Sequence, residues 1–420
     1  MSQKIAIVVQ RYGVEINGGA ELHARLLAEQ LSAHYEVDVL TTTAFNYYRW
    51  ANHYTVGTEI INGVRVKRFS TIMSSKRQLR RALRGIFGNK KYFKLLARLG
   101  LLEFLDRKYH IKTPSKRDID YWFVKQGPYC PDLITYIKTN RDNYDAFIFF
   151  TYLYYPTAVG MRFVPEKSIF IPTAHDEQIM FTKPYEDIYS IPAFIMYNTV
   201  AEKNLVESNF KKVVNNSDIA GLGFSAAAVN LKNVDLSENM DLSAPFFVYI
   251  GRIDSNKGCD ELISLFEKYA EEQKNVRLVM IGTNYMGVEE NKNIILTGFV
   301  NDDTKNFLLK NSQGLIIPSK NESLSMVTLE AMAEGKTVIV NENCKVLKQH
   351  VLDSKTGFYY SNYEEFKVAL NSTLALTDAS KVKIAERAKA YVETNYSWDN
   401  IIEKFKIALQ GIIDGKYNGN

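Results

Sequence analysis

The run Gly314-Leu-Ile-Ile-Pro318-Ser-Lys-Asn-Glu322-Ser-Leu-Ser-Met-Val-Thr-Leu-Glu330 contains an apolar strand, a polar loop and the beginning of a helix. A second apolar strand, Val338-Ile-Val340, follows it. This alternation predicts the strand–loop–helix edge of an α/β domain. Glu322 and Glu330 are eight positions apart, which is more than two helical turns, so they cannot stack on one face of a helix. We therefore expect Glu322 in the loop, a serine at the helix cap and Glu330 inside the helix.

The start of this helix is predicted to bind an anion. Exposed helix N–H groups and the helix dipole both favour negative charge there. The amides of Ser325, Met326 and Val327 are therefore candidates to hold phosphates. Glu322 would then bind a polar group of the same ligand, and Glu330 would bind vicinal hydroxyls. A ligand with these three parts is a nucleotide sugar.

A second loop in the same half of the chain carries positive charge. The strand Phe246-Phe-Val-Tyr-Ile250 runs into Gly251-Arg252-Ile-Asp-Ser-Asn-Lys257-Gly258. Arg252 can bind two phosphate oxygens at once and Lys257 adds a mobile point charge, so the loop suits a diphosphate. Taken alone, the loop is equally typical of a solvated turn. Its place in the same half as the two glutamates favours the diphosphate.

On these two runs the chain resembles the family-4 retaining glycosyltransferases of the GT-B fold. The resemblance is carried by Gly-Arg-x-x-x-x-Lys-Gly at 251–258 and by Glu-x7-Glu at 322–330. Gly18-Gly19-Ala20-Glu21 and the pair His175-Asp176 match family positions as well. The resemblance covers nearly the whole chain, and it is weakest over residues 74–120.

The resemblance implies a role for each matching residue. Residues that match Arg252 and Lys257 hold the donor diphosphate. The residue that matches Glu330 binds the ribose hydroxyls, and the one that matches Glu322 binds hydroxyls of the transferred sugar. A histidine at the position of His175 lies close to the reacting sugar. The expected catalytic residues are therefore Arg252, Lys257, Glu322 and His175. Glu330 is expected to bind the donor.

Two further loops bear on the donor. Thr297-Gly298-Phe299-Val300 matches a family loop whose backbone reads the nucleobase, which makes Phe299 and Val300 donor-binding candidates; a plain turn is the alternative. After the first glutamate the family usually has Gly-aromatic-Gly, whereas this chain has Ser323-Leu324-Ser325. Either serine can cap the helix. The added side chains narrow the space beside the donor sugar, so the family's commoner sugars are not assumed.

The first half of the chain offers weaker candidates. Gly18 and Gly19 precede a predicted helix, and paired glycines let a backbone amide approach a phosphate or a sugar, which makes them donor-binding candidates; a plain turn is the alternative. His175 follows a strand, which places its imidazole at a carboxyl end; a structural histidine is the alternative. Aromatic faces stack on sugar rings, so the candidates for an acceptor platform are Tyr129, Tyr152, Tyr154 and Tyr155.

Strands and helices alternate in both halves of the chain, which predicts the α/β class with parallel sheets. The first domain is expected at 1–236, with a basic insertion at about 74–120. The second is expected at 244–395, after a polar linker over Asn230–Ser243. The resemblance implies the GT-B arrangement of two Rossmann-like domains that face each other across an interdomain cleft. It also implies that a C-terminal helix, within 396–420, crosses back to the N-terminal domain.

The segment 76–98 is basic and amphipathic, and no acidic residue interrupts it. Such a segment suits an anionic membrane surface or a lipid-pyrophosphate acceptor. A helical hairpin packed on the first domain is the alternative. Nucleic-acid binding is the weakest interpretation, because no recognised module accompanies the charge. The candidate membrane-contact residues are Arg80, Arg81, Arg84, Lys90 and Lys91.

Composition is that of a soluble globular protein. The 420 residues are 46% hydrophobic and 24% charged, and this length predicts two or three domains. Cys130, Cys259 and Cys344 are odd in number and widely spaced, which fits a reducing compartment and not a disulfide framework. The first strand, Lys4–Val9, lacks the pattern of a signal peptide. We expect a cytoplasmic protein, peripheral on the inner face of the plasma membrane if the basic segment binds lipid.

Two lookalike motifs are set aside. Gly221-Leu-Gly223-Phe-Ser-Ala226 has the spacing of a dinucleotide fingerprint, but no clear strand leads into it and a linker follows too soon. Asp118-Ile-Asp120 resembles a metal-binding Asp-x-Asp, but it follows a polar basic stretch. Arg252, Lys257 and the helix amides already supply positive charge. No metal and no cofactor are therefore expected.

The predicted function is metal-independent, retaining transfer of a sugar from a nucleoside diphosphate sugar to a hydroxyl. The expected acceptor is a glycan, in particular a lipid-linked glycan of a cell-surface polysaccharide. The resemblance implies attack on the face from which the diphosphate leaves, with the leaving phosphate as base. Two alternatives stay open: a non-catalytic GT-B partner subunit that binds glycan, and a nucleotide-sugar epimerase. No nucleic-acid partner is expected.

Overall fold

A computed structural model describes residues 3–16, 18–47, 49–87, 114–236, 240–273 and 275–417. The chain divides into two compact units, Met1–Gly221 with Ile402–Asn420, and Leu222–Ile401. Each unit contains one sheet and an apolar core of its own. The Lys90 and Lys91 part of the basic segment lies outside the described residues.

The first unit is built around one eight-stranded sheet. Its strands are β1 (Lys4–Val8), β2 (Glu36–Thr42), β3 (Gly57–Ile61), β4 (Val64–Phe69), β5 (Ala146–Phe150), β6 (Ser168–Ile171), β7 (Phe194–Tyr197) and β8 (Ser217–Ile219). The order across the sheet is β3-β4-β2-β1-β5-β6-β7-β8. Among the strand pairs that the structure describes in this sheet, only β3–β4 is antiparallel. The central strands β1 and β5 are buried on both faces apart from Lys4 at the start of β1, because a parallel sheet is covered on both faces.

Helices flank this sheet. They are α1 (Gly19–Leu31), α2 (Lys76–Phe87), α3 (Lys116–Gln126), α4 (Pro131–Thr139), α5 (Tyr155–Gly160) and α6 (Val200–Asn209). Their ends follow local chemistry. Ser115 and Asp118 form a capping box at the start of α3, and Pro131 occupies the first turn of α4, where its missing N–H costs no hydrogen bond.

The second unit contains a six-stranded sheet in which every pairing is parallel. Its strands are β9 (Phe246–Ile250), β10 (Arg277–Ile281), β11 (Ile294–Gly298), β12 (Leu315–Ile317), β13 (Val338–Asn341) and β14 (Phe358–Tyr360). The order is β11-β10-β9-β12-β13-β14. From β9 the chain adds β10 and β11 on one side of the sheet and then returns to add β12, β13 and β14 on the other side. The order of the strands therefore switches between β9 and β12. Ligands of open α/β sheets bind outside the carboxyl ends of strands at such a switch point.

The helices of the second unit alternate with its strands and then close the chain. They are α7 (Cys259–Glu272), α8 (Asp302–Asn311), α9 (Met326–Ala333), α10 (Lys345–Ser354), α11 (Tyr363–Leu374), α12 (Asp378–Asn395) and α13 (Trp398–Ile413). The predicted α/β class with parallel sheets is confirmed. The short strands β3, β8 and β14 were not predicted, since three to five residues with mixed polarity give little periodicity.

The division between the units differs from the sequence prediction. It falls at Gly221–Leu222, ahead of the polar stretch 230–243. The segment after it is bound within the second unit: the Ala227 N–H donates to Glu334 (2.6 Å) and the Asp235 N–H donates to Thr304 (2.9 Å). Residues 222–236 therefore belong with the second unit and not with the first.

The end of the chain belongs with the first unit from Ile402 onward. The Lys404 ammonium donates to the carbonyl of Ile219, the last residue of β8. Further on, the Tyr417 ring packs on Phe194 with the ring centroids 5.1 Å apart. Polar and aromatic contacts thus both tie residues 402–417 to the β7–β8 edge of the first sheet.

Helix α2 is the described part of the basic segment. Its apolar side packs on the core of the first unit, with Ala82 and Ile86 buried. Arg80, Arg81 and Arg84 lie on the opposite side and are exposed. The packing observed for 76–87 agrees with the helical alternative of the prediction. It leaves the cationic face accessible.

Candidate functional site

The loop that follows β9 is shaped by Asp254 and Gly258. Asp254 accepts a hydrogen bond from the Lys257 N–H (2.9 Å), which forms a short turn. Gly258 then adopts a left-handed conformation, with φ 75°. A Cβ there would lie 2.6 Å from the Pro318 carbonyl oxygen. Glycine at 258 is therefore what lets this loop approach the end of β12.

The two predicted donor motifs meet at one contact. The Lys257 ammonium lies 2.7 Å from Glu322 Oε1, and 31% of the lysine side chain and 17% of the glutamate side chain remain exposed. Arg252 lies on the same loop, with its Nε 3.6 Å from Asp254. Both cations thus stand at the carboxyl ends of β9 and β12, the switch point of the sheet. The sequence predicted the two motifs but not that they bind each other.

Ser325 is the N-cap residue of α9, and its backbone is in the left-handed region at φ 60° and ψ 72°. A residue with a Cβ enters this region at a cost of about 1–2 kcal/mol. Its hydroxyl lies 2.8 Å from that of Thr328 in the first turn. Met326 and Val327 begin the helix, as predicted. Their amides belong to the first turn, whose N–H groups have no partner inside the helix.

Glu330 lies one turn further along α9, where the prediction places it. Its carboxylate is 3.2 Å from the Lys305 ammonium of α8, which also binds Asp302 at 3.0 Å. Burial lowers the pKa of Lys305, but the two carboxylates outweigh burial and the net shift is upward. Lys305 was not predicted, because no motif marks it. Glu330 therefore carries a cationic partner in Lys305.

The predicted base-reading loop follows β11. Gly298 has φ 68°, a left-handed turn that directs the chain out of the sheet. Phe299 is 68% exposed and Val300 is half-buried. The Phe299 ring is therefore accessible to solvent.

In the first unit, Gly18 and Gly19 begin α1. A Cβ at Gly18 would lie 2.1 Å from Glu21 Oε2, so glycine is required by the packing of that carboxylate. Glu21 is buried and pairs with Arg11 at 2.6 Å. Gly19 is exposed, and a Cβ there would meet open space. The two glycines thus differ. A side chain at position 18 would displace the Glu21 carboxylate, whereas position 19 is exposed and has room for a side chain.

His175 lies in the loop after β6. Its Nε2 is 3.5 Å from Glu177, and its Nδ1 is 3.4 Å from the Thr173 carbonyl. Glu177 also accepts a hydrogen bond from the hydroxyl of buried Tyr152. Burial raises the pKa of Glu177, but the bonds from His175 and Tyr152 outweigh it and hold the pKa below its usual value. The imidazole is therefore oriented by an ionised carboxylate.

Glu202 supports the same loop and was not predicted as a site residue. It is fully buried in the first turn of α6 and accepts hydrogen bonds from the N–H groups of Ala174 and Asn198, the latter at 2.6 Å. Burial raises its pKa to about 8, against the lowering effect of those bonds. A sequence signal existed, since Thr199-Val-Ala-Glu202 has the pattern of a capping box, but the longer-range bond to Ala174 has none.

The predicted acceptor tyrosines divide into two kinds. Tyr152 and Tyr155 are 1% and 9% exposed, so their rings are core packing and the prediction of a stacking surface is wrong for them. Tyr129 and Tyr154 are half-buried. The Tyr154 ring packs edge-on against Trp50, with the centroids 5.1 Å apart.

Both lookalike motifs have packing roles. The strand β8 does lead into Gly221-Leu-Gly223, contrary to the prediction, but a Cβ at Gly223 would lie 2.4 Å from the Trp398 ring. Asp118 forms the capping box of α3. Among the described residues, no group of three or more His, Cys, Asp or Glu side chains is placed to hold a metal ion. None of the helices that the structure describes has the length and apolarity to span a membrane.

Comparison with known proteins covers the second unit most clearly. Residues 235–397 match the family described as glycosyl transferases group 1. This range contains every strand of the second sheet and the residues Arg252, Lys257, Glu322 and Glu330. The candidate donor site thus lies within the range that matches this family.

Two relatives differ in the extent of their similarity. The lipopolysaccharide 1,2-N-acetylglucosaminetransferase of Salmonella typhimurium is 27% identical over 194 residues, which are 42% of this chain and 51% of that protein. This chain therefore spans about half the length of that relative. An uncharacterized glycosyltransferase of Methanocaldococcus jannaschii is 24% identical over 424 residues, which are 97% of this chain and 99% of that protein.

Among solved structures, the sucrose-phosphate synthase of Thermosynechococcus elongatus matches with a TM-score of 0.66. The match covers 98% of this chain and 99% of that one, at 14% sequence identity. At this identity the likeness concerns the fold alone. The fold of the chain is the α/β fold of GT-B glycosyltransferase structures.

Proposed function

We propose that the protein transfers a sugar from a nucleoside diphosphate sugar to a hydroxyl acceptor, with retention of configuration at the anomeric carbon. The observation that carries the proposal is the Lys257–Glu322 contact of 2.7 Å at the switch point of the second sheet. It places a cation suited to a diphosphate beside a carboxylate suited to sugar hydroxyls. The group 1 match over 235–397 supports a glycosyl donor as the ligand.

The proposed chemistry is electrostatic. As the glycosidic bond to the diphosphate breaks, negative charge grows on the leaving phosphate. Arg252, Lys257 and the first-turn amides of α9 would stabilise that charge, and preorganised donors of this kind supply the largest part of many rate enhancements. The departing phosphate would take the proton of the acceptor hydroxyl on the same face of the sugar. These groups provide the positive charge, so we propose that no metal ion or cofactor is required.

Glu322 and Glu330 would define the two ends of the donor. Glu330 would accept hydrogen bonds from the ribose hydroxyls, with Lys305 as its fixed partner. Glu322 would bind hydroxyls of the transferred sugar. Phe299 and Val300 would contact the base. We assign acceptor recognition to the first unit, with Tyr129 and Tyr154 as its candidates. The roles of Gly19 at the donor and of His175 beside the reacting sugar stay predictions.

The acceptor is proposed to be a glycan, lipid-linked during assembly of a cell-surface polysaccharide. The Salmonella relative is named as a lipopolysaccharide glycosyltransferase, which supports this class. A non-catalytic partner subunit is the second candidate function, and the Ser323-Leu324-Ser325 loop favours it because it departs from the Gly-aromatic-Gly usual in the family that the sequence resembles. The presence of both cations and both glutamates favours an enzyme.

A ligand screen tests the proposed donor. Thermal unfolding of the chain is expected to shift upward with one of UDP, GDP or dTDP and with a sugar derivative of the same nucleotide. A ligand present at about 100 times its Kd adds about 2.7 kcal/mol of stability. Slow hydrolysis of that nucleotide sugar by the isolated chain would support an enzyme. Binding without hydrolysis or transfer to any glycan would favour the partner subunit, and no shift with any nucleotide would contradict the proposal.

We also propose that the exposed basic face of α2 binds anionic lipid, which would place the protein peripherally on the inner face of the plasma membrane. Arg80, Arg81 and Arg84 are exposed on this face. Each basic residue near an anionic surface contributes about 1 kcal/mol. Attachment there would bring the active site to a lipid-linked acceptor.

Replacing Arg80, Arg81 and Arg84 together with glutamine is expected to weaken binding to phosphatidylserine vesicles about a hundredfold. Native binding should fall steeply as salt is raised, because the attraction is screened within about a Debye length. A matched control replaces Lys381, Lys383 and Arg387, which are exposed on α12, and should bind as the native chain does. Vesicle sedimentation measures both. Equal loss of vesicle binding in the two triple variants would indicate a general effect of protein charge and would exclude a specific lipid-binding face.

A further inference from the structure

The peptide group between Leu324 and Ser325 is held from the protein interior. His350 lies on α10 and is 2% exposed. Its Nε2 is 2.8 Å from the Leu324 carbonyl oxygen, and its Nδ1 is 2.9 Å from the Tyr391 hydroxyl of α12. Two helices that follow the donor motif in sequence thus meet the loop that carries it.

The two contacts define the tautomer of His350. A carbonyl oxygen only accepts, so Nε2 must carry the proton and donate to Leu324. In the neutral ring Nδ1 is then an acceptor, and the Tyr391 hydroxyl donates to it. Burial lowers the pKa of His350 to about 4, although the Leu324 carbonyl and Asp353 act in the opposite direction. The ring is therefore neutral near physiological pH and uses both nitrogens.

This contact orients the amide of Ser325. The peptide group is planar and trans, so its N–H points opposite to its carbonyl. Because the Leu324 carbonyl faces the buried His350, the Ser325 N–H points in the opposite direction. The same peptide precedes the left-handed Ser325. A glycine adopts that conformation freely, whereas serine needs a structural partner to hold it there.

We infer that His350 is a positioning residue for the donor: by holding the Leu324 carbonyl it keeps Ser325 left-handed and directs the Ser325 N–H toward the diphosphate. Tyr391 acts through His350 by fixing its tautomer. The identity of the ligand rests on the proposed function. The hydrogen-bonded chain Tyr391–His350–Leu324 is independent of it.

The contacts of His350 explain how a loop that contains no glycine can bind a phosphate. In Ser323-Leu324-Ser325 the central side chain is buried, with Leu324 only 4% exposed. Leu324 thus anchors the loop by its side chain and, through His350, by its carbonyl. With both fixed, the backbone at Ser325 has little freedom, and an amide that is already oriented loses less entropy when a ligand binds.

Replacing His350 with leucine removes both hydrogen bonds and keeps an apolar side chain in the same space. We expect the Kd of the diphosphate identified by the ligand screen to rise about tenfold, the size of one lost hydrogen bond with its oriented amide. His350→Gln can still donate to the Leu324 carbonyl and is expected to restore most of the affinity. Tyr391→Phe should give an intermediate Kd. His34→Leu, at an exposed histidine, is the control and should match the native chain.

Calorimetry gives these Kd values, and ¹⁵N-histidine NMR of the native chain gives the tautomer without any ligand. A protonated Nδ1 on His350 would overturn the anchoring. So would a folded His350→Leu chain with native Kd and native exchange of the Ser325 amide. If His350→Leu does not fold, native values of both quantities in Tyr391→Phe together with His350→Gln overturn the inference. Failure of the native chain to bind any of the three diphosphates contradicts the proposed function instead, and the tautomer still decides the anchoring.

Discussion

Replacing Lys257 with alanine is expected to lower turnover by about 10²–10³-fold, the usual loss when one preorganised donor is removed from a developing oxyanion. The charge on the leaving diphosphate is greater in the transition state than in the bound donor, so the loss should fall on turnover more than on donor affinity. The substitution also leaves Glu322 without its partner at 2.7 Å. An unpaired carboxylate near a departing phosphate adds to the penalty.

Two variants separate charge from fold. Lys257→Arg keeps the positive charge but lacks the compact ammonium, and it should recover part of the rate. Lys292→Ala removes an exposed lysine from a loop of the same unit and should leave the rate unchanged. Initial rates at saturating donor and acceptor measure the effect, with thermal unfolding as a check of the fold. Full activity of Lys257→Ala would remove the leaving-group argument.

The double variant Lys257→Ala/Glu322→Ala tests whether the contact between the two side chains matters. If the unpaired Glu322 carboxylate contributes to the loss in Lys257→Ala, the double variant should lose less than the product of the two single effects. A product of independent effects would mean that each side chain contacts the donor separately.

The donor half of the site could be predicted because its chemistry is local in sequence. Arg252 and Lys257 share one loop, and Glu322 and Ser325 share another. The strands before these loops are apolar runs whose period is unambiguous. The parallel pairing of β9 with β12, which the structure shows, brings the two loops together. The Lys257–Glu322 contact results from this pairing and was not predicted from the two motifs.

The supporting residues could not be predicted, because their partners are distant in sequence. Lys305 meets Glu330 across two helices, Glu202 holds Ala174 across two strand ends, and His350 reaches back to Leu324. No sequence pattern marks Lys305 or His350, and the capping-box pattern of Glu202 does not predict its bond to Ala174. Each is assigned by burial and hydrogen bonding, which only the folded chain reveals.

The acceptor half was predicted less well for a different reason. Aromatic content alone does not tell which rings face solvent, and large aromatic side chains are more often core than surface. Tyr152 and Tyr155 contribute to the packing below the His175 loop, and Tyr152 in addition binds Glu177. The expectation for Tyr129 and Tyr154 stays a prediction. The boundary between the units also differs from the predicted one. A polar stretch can pack on a neighbouring helix as well as link two domains, so its composition does not locate the boundary.

Glu330→Ala is expected to weaken binding of both the free nucleoside diphosphate and the intact donor, by about tenfold to a hundredfold. The reason is that ribose hydroxyls are present in both ligands. Glu322→Ala should leave diphosphate binding within a few-fold of native and lower turnover, because its proposed partner is the transferred sugar. The two ends of the motif are therefore distinguished by one ligand that lacks the sugar.

Each glutamate has a lysine partner, so variants of these lysines are needed as controls. Glu330→Ala leaves Lys305, whose side chain is 20% exposed, paired with Asp302 alone. Lys305→Met removes that charge and should recover part of the stability lost in Glu330→Ala without restoring the affinity for ribose. Calorimetry with diphosphate and with intact donor, alongside initial rates, measures all of these variants.

The assignment would be reversed if Glu322→Ala abolished diphosphate binding while Glu330→Ala left it unchanged. Equal loss of both ligands in both variants would instead indicate that the glutamates act by shaping α9 and its loop. The geometry argues against that outcome. Glu322 lies before the left-handed Ser325 and Glu330 lies after it, on a helix whose first turn is already closed by the Ser325–Thr328 contact. The two carboxylates are therefore held by separate parts of the backbone, and each should report on its own end of the donor.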